Sequence, residues 1–328
     1  MNWIRRLLGQ QSDAARSNTQ PAVTLMADPP DAGAESEPPA PEEPALPEAP
    51  PQPVDNVTRP LPQEPVLPPP SNRQHIMFGQ MTDVGMVRTN NQDAAISFFT
   101  TSRSSEARPD FGVFAVADGM GGHHDGEKAS ALAARTFTRE ILNKLYLPML
   151  LDEGFLNQNP VAEVLVESVL HANSLVLSQV PDGGTTLTAA VVIGDLAHIV
   201  HVGDSRVYML TRDSIVQVTR DHSLVQRLIE LDQITADEAA DHPQKNVLYR
   251  ALGQTENLEV DTITRRLQPG SRILICSDGL WNVILNKELH EIVMKASNPQ
   301  EACEQLVGLA NARGGSDNIT AILLQMPG

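Results

Sequence analysis

Cysteine is nearly absent: the 328 residues hold only Cys276 and Cys303. Two thiols in apolar surroundings make no disulfide framework and suit buried side chains in a reducing compartment. Basic residues are also scarce, with 24 Lys and Arg against 41 Asp and Glu, a net charge of −17. That balance argues against a nucleic-acid ligand, whose phosphates need a basic face. No apolar run approaches the roughly 20 residues of a membrane span. The start, MNWIRRLLG, puts Trp3, Ile4, Leu7 and Leu8 on one helical side beside Arg5 and Arg6. It lacks the long apolar stretch and small-residue cleavage site of a signal peptide. No internal repeat is visible.

Proline, by contrast, is concentrated. Seventeen of the 25 prolines lie between Pro21 and Pro70, among Ala, Glu and Asp and with almost no aromatics. Such a segment buries too little apolar surface to offset its chain entropy, so residues 1–73 are expected to form a disordered tail with a short amphipathic start. Residues 74–328 remain, enough for one domain. The tail's five basic and ten acidic residues leave that domain near −12. An acidic domain that handles phosphate would need cations to supply the positive charge.

From His75 onward, strand patterns recur. Ile76, Phe78 and Met81 open one, Ala94 to Phe99 offers a second, and Phe111 to Ala117 is a continuous apolar run ending abruptly in Asp118-Gly119. Helical spacing follows over Gly126 to Tyr146 and Val161 to Val180. Strands are expected at Thr185 to Ile193, Ala197 to Val202, Ser205 to Leu210, Ile215 to Val218, Leu258 to Thr264, Arg272 to Cys276 and Asn318 to Leu324. Further helices fit His222 to Asp232, Asn286 to Met294 and Pro299 to Ala312, and Gln233 to Asn246 reads as a polar surface excursion. Hairpin-ordered strands with grouped helices indicate α+β: two packed antiparallel sheets with helices outside.

Five aspartates sit at strand ends in polar, mostly glycine-rich settings: Asp93 in NNQDA, Asp118 in AVADGMGG, Asp204 in HVGDSR, Asp278 in ICSDGL and Asp317 in GGSDN. A carboxylate at the end of a buried strand is costly unless it is hydrogen-bonded or bound to a cation. One Asp-Gly pair is an ordinary turn; five such ends without matching lysines or arginines imply cations. Oxygen-only ligands favour Mg²⁺ or Mn²⁺ over Zn²⁺. Arg88, five residues before Asp93, could hold two phosphoryl oxygens in a bidentate fork.

The motifs TDVGMVRTNNQDA, VFAVADGMGGHHDGEKAS, GGTTLTAAVV, HVGDSRVYML, TRDHS, ILICSDGLWNVI and GGSDNITAILL occur in the order of the metal-dependent protein serine/threonine phosphatases of type 2C, bacterial branch. From His75 to the C-terminus the chain resembles that family. The resemblance implies a four-layer α-β-β-α sandwich with a metal site at one end. It implies that Asp118 bridges two metals, Gly119 offers a backbone carbonyl to one of them, and Asp278 and Asp317 complete the ligand set of the second metal. Asp93 would hold metal-bound waters, Asp204 a third, weaker ion, and Arg88 the substrate phosphate. Leu224 to Leu248 would be a variable flap over the site.

The activity so implied is hydrolysis of phosphoserine and phosphothreonine in proteins, by a water nucleophile activated at a binuclear Mn²⁺ or Mg²⁺ centre. The expected partners are phosphorylated proteins made by a cognate bacterial kinase, and the expected protein is a cytoplasmic monomer. The rival readings are a pseudophosphatase that binds phosphoproteins without turnover and a scaffold acting through the Pro-rich tail. Two departures from the family pattern stand out: Met120 where eukaryotic members often carry His, and Asp125 where Gly is common. The first leaves the general acid open between metal-bound water and a histidine, with His123 and His124 in the same glycine-rich loop and His222 at the edge of the flap.

Overall fold

Side chains that alternate between two faces of a strand still read as one apolar run when both faces are buried, and the centre of this protein is built that way. The computed structural model describes residues 75–102, 108–121, 125–151 and 160–328. The expected tail and its amphipathic start, together with His123 and His124, lie outside the described residues.

In chain order, β1 (Met77–Asp83), β2 (Asp93–Thr100) and β3 (Phe111–Gly121) precede α1 (Asp125–Ile141). A π-helical turn, Leu142–Tyr146, carries α1 into α2 (Leu147–Leu151), and α3 (Val161–Gln179) follows. Then come β4 (Gly183–Thr185), β5 (Leu187–Ile193), β6 (Leu196–Val202), β7 (Arg206–Leu210) and β8 (Ile215–Gln217). Two short helices, α4 (Leu224–Glu230) and α5 (Ala236–Ala240), stand before β9 (Asp261–Arg266) and β10 (Arg272–Cys276). The chain closes with α6 (Asp278–Trp281), α7 (Asn286–Lys295), α8 (Pro299–Ala312) and β11 (Ile319–Gln325).

One sheet has the order β1-β11-β10-β7-β8; the other runs β2-β3-β5-β6-β9, with β4 added to the end of β3. All pairings are antiparallel. Three apolar clusters fill the three interfaces. Val113, Ala115 and Ala117 of β3 join α1 and α3 in the first. Phe114 and Val116 point the other way and meet Ile273, Ile275 and Ile322 of the facing sheet. Leu274, Cys276, Ala321 and Leu323 pack under α7 and α8 in the third. This is the four-layer sandwich that the sequence implies.

The helices start where their residues favour it. Asn298 caps α8, its side chain accepting the Glu301 N–H, with Pro299 in the first turn. Thr235 and Glu238 form a capping box on α5. Asp125, the departure noted above, is the first residue of α1, where a carboxylate complements the helix dipole. Among the described residues one helix, α3, is long and apolar enough to cross a membrane. It holds no unbroken apolar run, because Glu163, Glu167 and His171 interrupt it, and its Leu165, Val169, Ala172 and Val176 lie in the core.

Some boundaries differ from the sequence reading. The expected strand Thr185 to Ile193 splits at Thr186, whose backbone N–H turns to the Asp118 carbonyl at 2.8 Å. The strand expected at Leu258 to Thr264 begins only at Asp261, because Leu258 turns into the helix-facing core. The polar stretch after α4 contains the short helix α5.

Candidate metal centre and active site

The pairing register brings Asp93, first in β2, directly opposite Asp118 in β3. Like charges facing each other across a ladder repel. Asp204 follows β6, Asp278 follows β10 and Asp317 precedes β11, so both sheets deliver carboxylates to the same end of the sandwich. The Asp118 carboxyl is pushed well above the usual range, first by burial and then by Asp93, Asp278, Asp204 and Asp317. Burial, opposed by hydrogen bonds from Thr320 and Ser277, raises Asp93 to about 7. Burial and the Asp317 charge raise Asp278 to about 6, although its side chain is in hydrogen-bond contact with Asp118 and feels Arg88. Asp204 rises through burial, Asp278 and Asp221, against the pull of Arg206. All five aspartates singled out in the sequence therefore converge.

Fixed backbone and hydroxyl groups hold them there. The Asp118 N–H donates to Thr186 Oγ1 at 2.9 Å, and the Asp118 carbonyl accepts from the Thr185 hydroxyl at 2.9 Å. Asp93 Oδ2 accepts from the hydroxyls of Ser277 at 2.7 Å and Thr320 at 2.6 Å, so the two sheets are joined through it. Asn318 donates to the carbonyls of Val84 and Asn90 and accepts the Gln92 N–H, all within 2.9 Å. Glycine permits two close approaches. A methyl on Gly119 would fall 2.2 Å from the Gly126 carbonyl oxygen, and one on Gly279 would fall 2.1 Å from that of Asn318. Arg88 Nη2 donates to Asp317 Oδ2 at 2.7 Å, with about half of the arginine side chain exposed.

The donor set fits hard divalent cations. Every candidate ligand is oxygen, and Asp93 Oδ1 is buried with no hydrogen-bond partner, an arrangement that is costly until a cation or its water satisfies it. Among the described residues no three Asp, Glu, His or Cys side chains close on one point as a ready cage. A cation here would meet carboxylate pairs and complete its shell with backbone and water oxygens, as Mg²⁺ in particular does.

Residues 86–311 match the family model described as Protein phosphatase 2C. The chain belongs to the protein phosphatase 2C family. The phosphatase is 36% identical over 244 residues to the serine/threonine phosphatase stp of Listeria innocua, covering 74% of this chain and 93% of that one. Against the crystal structure of the Mycobacterium tuberculosis serine/threonine phosphatase PstP/Ppp the TM-score is 0.65 at 31% identity, over 77% of this chain and 99% of that one. A catalytic domain of PstP in complex with two manganese ions superposes with a TM-score of 0.61 at 29% identity, over 77% and 99% of the two chains. Metal dependence follows from the family.

Several residues around the centre of this phosphatase were not singled out in the sequence. Ser277, Thr320 and Asn318 are ordinary polar residues whose partners lie far away in the chain, so no local signal marks them. Arg206 lies within GDSR and Trp281 within SDGLW, which was the available signal. Arg206 grips Asp221 through Nε and Nη2 at 2.7–3.1 Å, and its guanidinium carbon lies 3.4 Å from the centroid of the Trp281 ring. The Trp281 Nε1–H donates to the Asp204 carbonyl at 3.0 Å, so this stack ties β7 and α6 to the loop of Asp204. His222, at the edge of the expected flap, is buried; its Nδ1 accepts the Gly203 N–H, leaving Nε2–H to Asp261. These contacts join the Gly203 loop to the start of β9. Met120 Sδ accepts from the Gln254 amide at 3.3 Å. A cavity lined by Arg220, His222, Leu224, Arg227, Tyr249, Arg250 and Asp261 contains none of the five aspartates. Its arginines are already paired with Glu230, Glu259 and Asp261.

Proposed function

We propose that this protein serine/threonine phosphatase hydrolyses phosphoserine and phosphothreonine at the five-aspartate end of the sandwich, with two Mn²⁺ or Mg²⁺ ions and a weaker third. Asp118 is proposed as the carboxylate shared by two ions, with the Gly119 carbonyl, Asp278 and Asp317 beside it, Asp93 toward their waters and Asp204 toward the third. The observation that carries this reading is Asp93 facing Asp118 with one oxygen buried and unsatisfied. Divalent cations bound there supply Lewis-acid chemistry, which makes water nucleophilic near neutral pH and offsets phosphoryl charge.

The chain's own groups do the positioning. Ser277 and Thr320 fix one oxygen of Asp93 and leave the other buried without a hydrogen-bond partner. Arg88, already oriented by Asp317, is proposed to take two phosphoryl oxygens in its fork as charge spreads over them. Neither thiol serves as a nucleophile: burial pushes Cys276 above the range of a reactive thiolate and Cys303 up to about 12. Such buried, unpaired thiols suit the proposed cytoplasmic setting, where the substrates would be products of a serine/threonine kinase.

The test is phosphate release from phosphoserine and phosphothreonine peptides by the full chain. Release that requires Mn²⁺ or Mg²⁺ and stops with EDTA is expected. Undiminished release in EDTA would overturn the metal-based reading.

A further inference from the structure

Met86 and Val87 immediately precede Arg88 and are 69% and 67% exposed. Scattered exposed apolar side chains need no explanation. This pair differs, because the backbone of the loop carrying it is braced by hydrogen bonds. The Gly85 N–H donates to Asp83 Oδ1 at 2.8 Å, the Met86 N–H to the Gly315 carbonyl at 2.7 Å, and the Val84 carbonyl accepts from Asn318 at 2.8 Å. A methyl on Gly315 would fall 2.9 Å from Met86 Cγ, so the stem of Met86 lies against that glycine while the residue remains largely exposed. A rigid apolar surface thus adjoins the arginine proposed to hold the phosphate.

We infer that Met86 and Val87 form an apolar docking rim for the side chains flanking the phosphorylated serine or threonine. The inference rests on the phosphatase reading above. Continuity with Arg88 identifies the occupant, since positions 86 and 87 directly adjoin Arg88 and lie within reach of the residues flanking a phosphate held there. Charge selects the chemistry. With a net charge of −17 on the chain, acidic flanks are repelled, and apolar flanks gain the contact.

The test compares two phosphoserine peptides, one with Leu at the positions flanking the phosphoserine and one with Ser there, using the full chain and Mn²⁺. The intact protein is expected to favour the Leu peptide by roughly tenfold in kcat/KM, about 1.4 kcal/mol. The double variant Met86→Ser/Val87→Ser should lose the preference, and Met86→Leu/Val87→Ile should keep it. Equal rates on both peptides by the intact protein, or an unchanged preference in the Ser variant, would overturn the docking rim while leaving the phosphatase reading in place. No hydrolysis of either peptide or of p-nitrophenyl phosphate would overturn both. A dimer in sedimentation that dissociates in the Ser variant would assign the pair to a second copy of the chain and overturn the inference.

Discussion

Asp93 and Asp118 face each other across β2 and β3, where a ladder normally places compatible partners. Asp118→Asn removes one of these charges while keeping the shape and the backbone bonds to Thr185 and Thr186. Turnover should fall below detection, because the shared ligand is lost. The metal-free variant should be more stable than the metal-free parent by about 0.2–1 kcal/mol, the scale of a cross-strand pair. Calorimetry in EDTA measures that gain, and parental activity in saturating Mn²⁺ would remove Asp118 from the centre. Arg88 is separable from the ligands. Its pair with Asp317 is half-exposed and contributes little to stability. Arg88→Ala should therefore raise KM and weaken inhibition by free phosphate, with metal affinity nearly unchanged. Each lost charge-assisted bond corresponds to about 1.5–3 kcal/mol. An equal loss of metal affinity, read by calorimetric titration, would make Arg88 structural.

Between residue and molecule, segments are tied together by partners that the sequence does not advertise. The strand ends were legible because an apolar run stopping at Asp-Gly is a local pattern: Phe111 to Ala117 before Asp118, and Arg272 to Cys276 before Asp278. That Asp93 pairs with Asp118, or that Ser277 and Thr320 both reach Asp93, depends on register between distant strands, and hydroxyls carry no spacing signal. The break at Thr186 was likewise hidden, since Thr is a good strand former and its departure from the ladder is driven by Asp118. Asn318 is the strongest such tie. It is almost fully buried and bonds three backbone groups of the segment carrying Arg88 and Asp93. Asn318→Ala leaves those groups unpaired, at about 1–3 kcal/mol for a buried one. We expect a lower melting temperature together with weaker Mn²⁺ binding. A variant that melts lower but binds Mn²⁺ like the parent would limit Asn318 to holding β11.

Over the whole molecule, net charge and the carboxylate cluster act in the same direction, so stability without metal should depend on pH with an unusual sign. Asp93 and Asp278 are raised from about 3.8 to about 7 and about 6, and Asp118 and Asp204 also move upward. The folded state therefore holds more protons than the unfolded state above pH 4, and stability falls as pH rises through the folded values. Buried histidines oppose this. Burial lowers His201 to about 3 and lowers His222, so each contributes stability that is present above the unfolded value near 6.5 and lost as pH falls below it. Between pH 6 and 8 the unfolded imidazoles finish losing their protons, a gain of at most about 0.8 kcal/mol per buried histidine. The four raised carboxylates together outweigh it. From Asp93 alone the loss over that window is on the order of 1 kcal/mol, or roughly 2–4 °C for a domain of this size. Protein stripped with EDTA should thus melt lower at pH 8 than at pH 6. Saturating Mn²⁺ should reverse the order, because the cations bind the ionised carboxylates of the folded chain and stabilise it by mass action. Melting curves at the two pH values, with and without Mn²⁺, decide the matter. A stripped protein that melts higher at pH 8, or a metal-induced rise no larger at pH 8 than at pH 6, would mean that the five aspartates are neutralised within the fold and do not await cations.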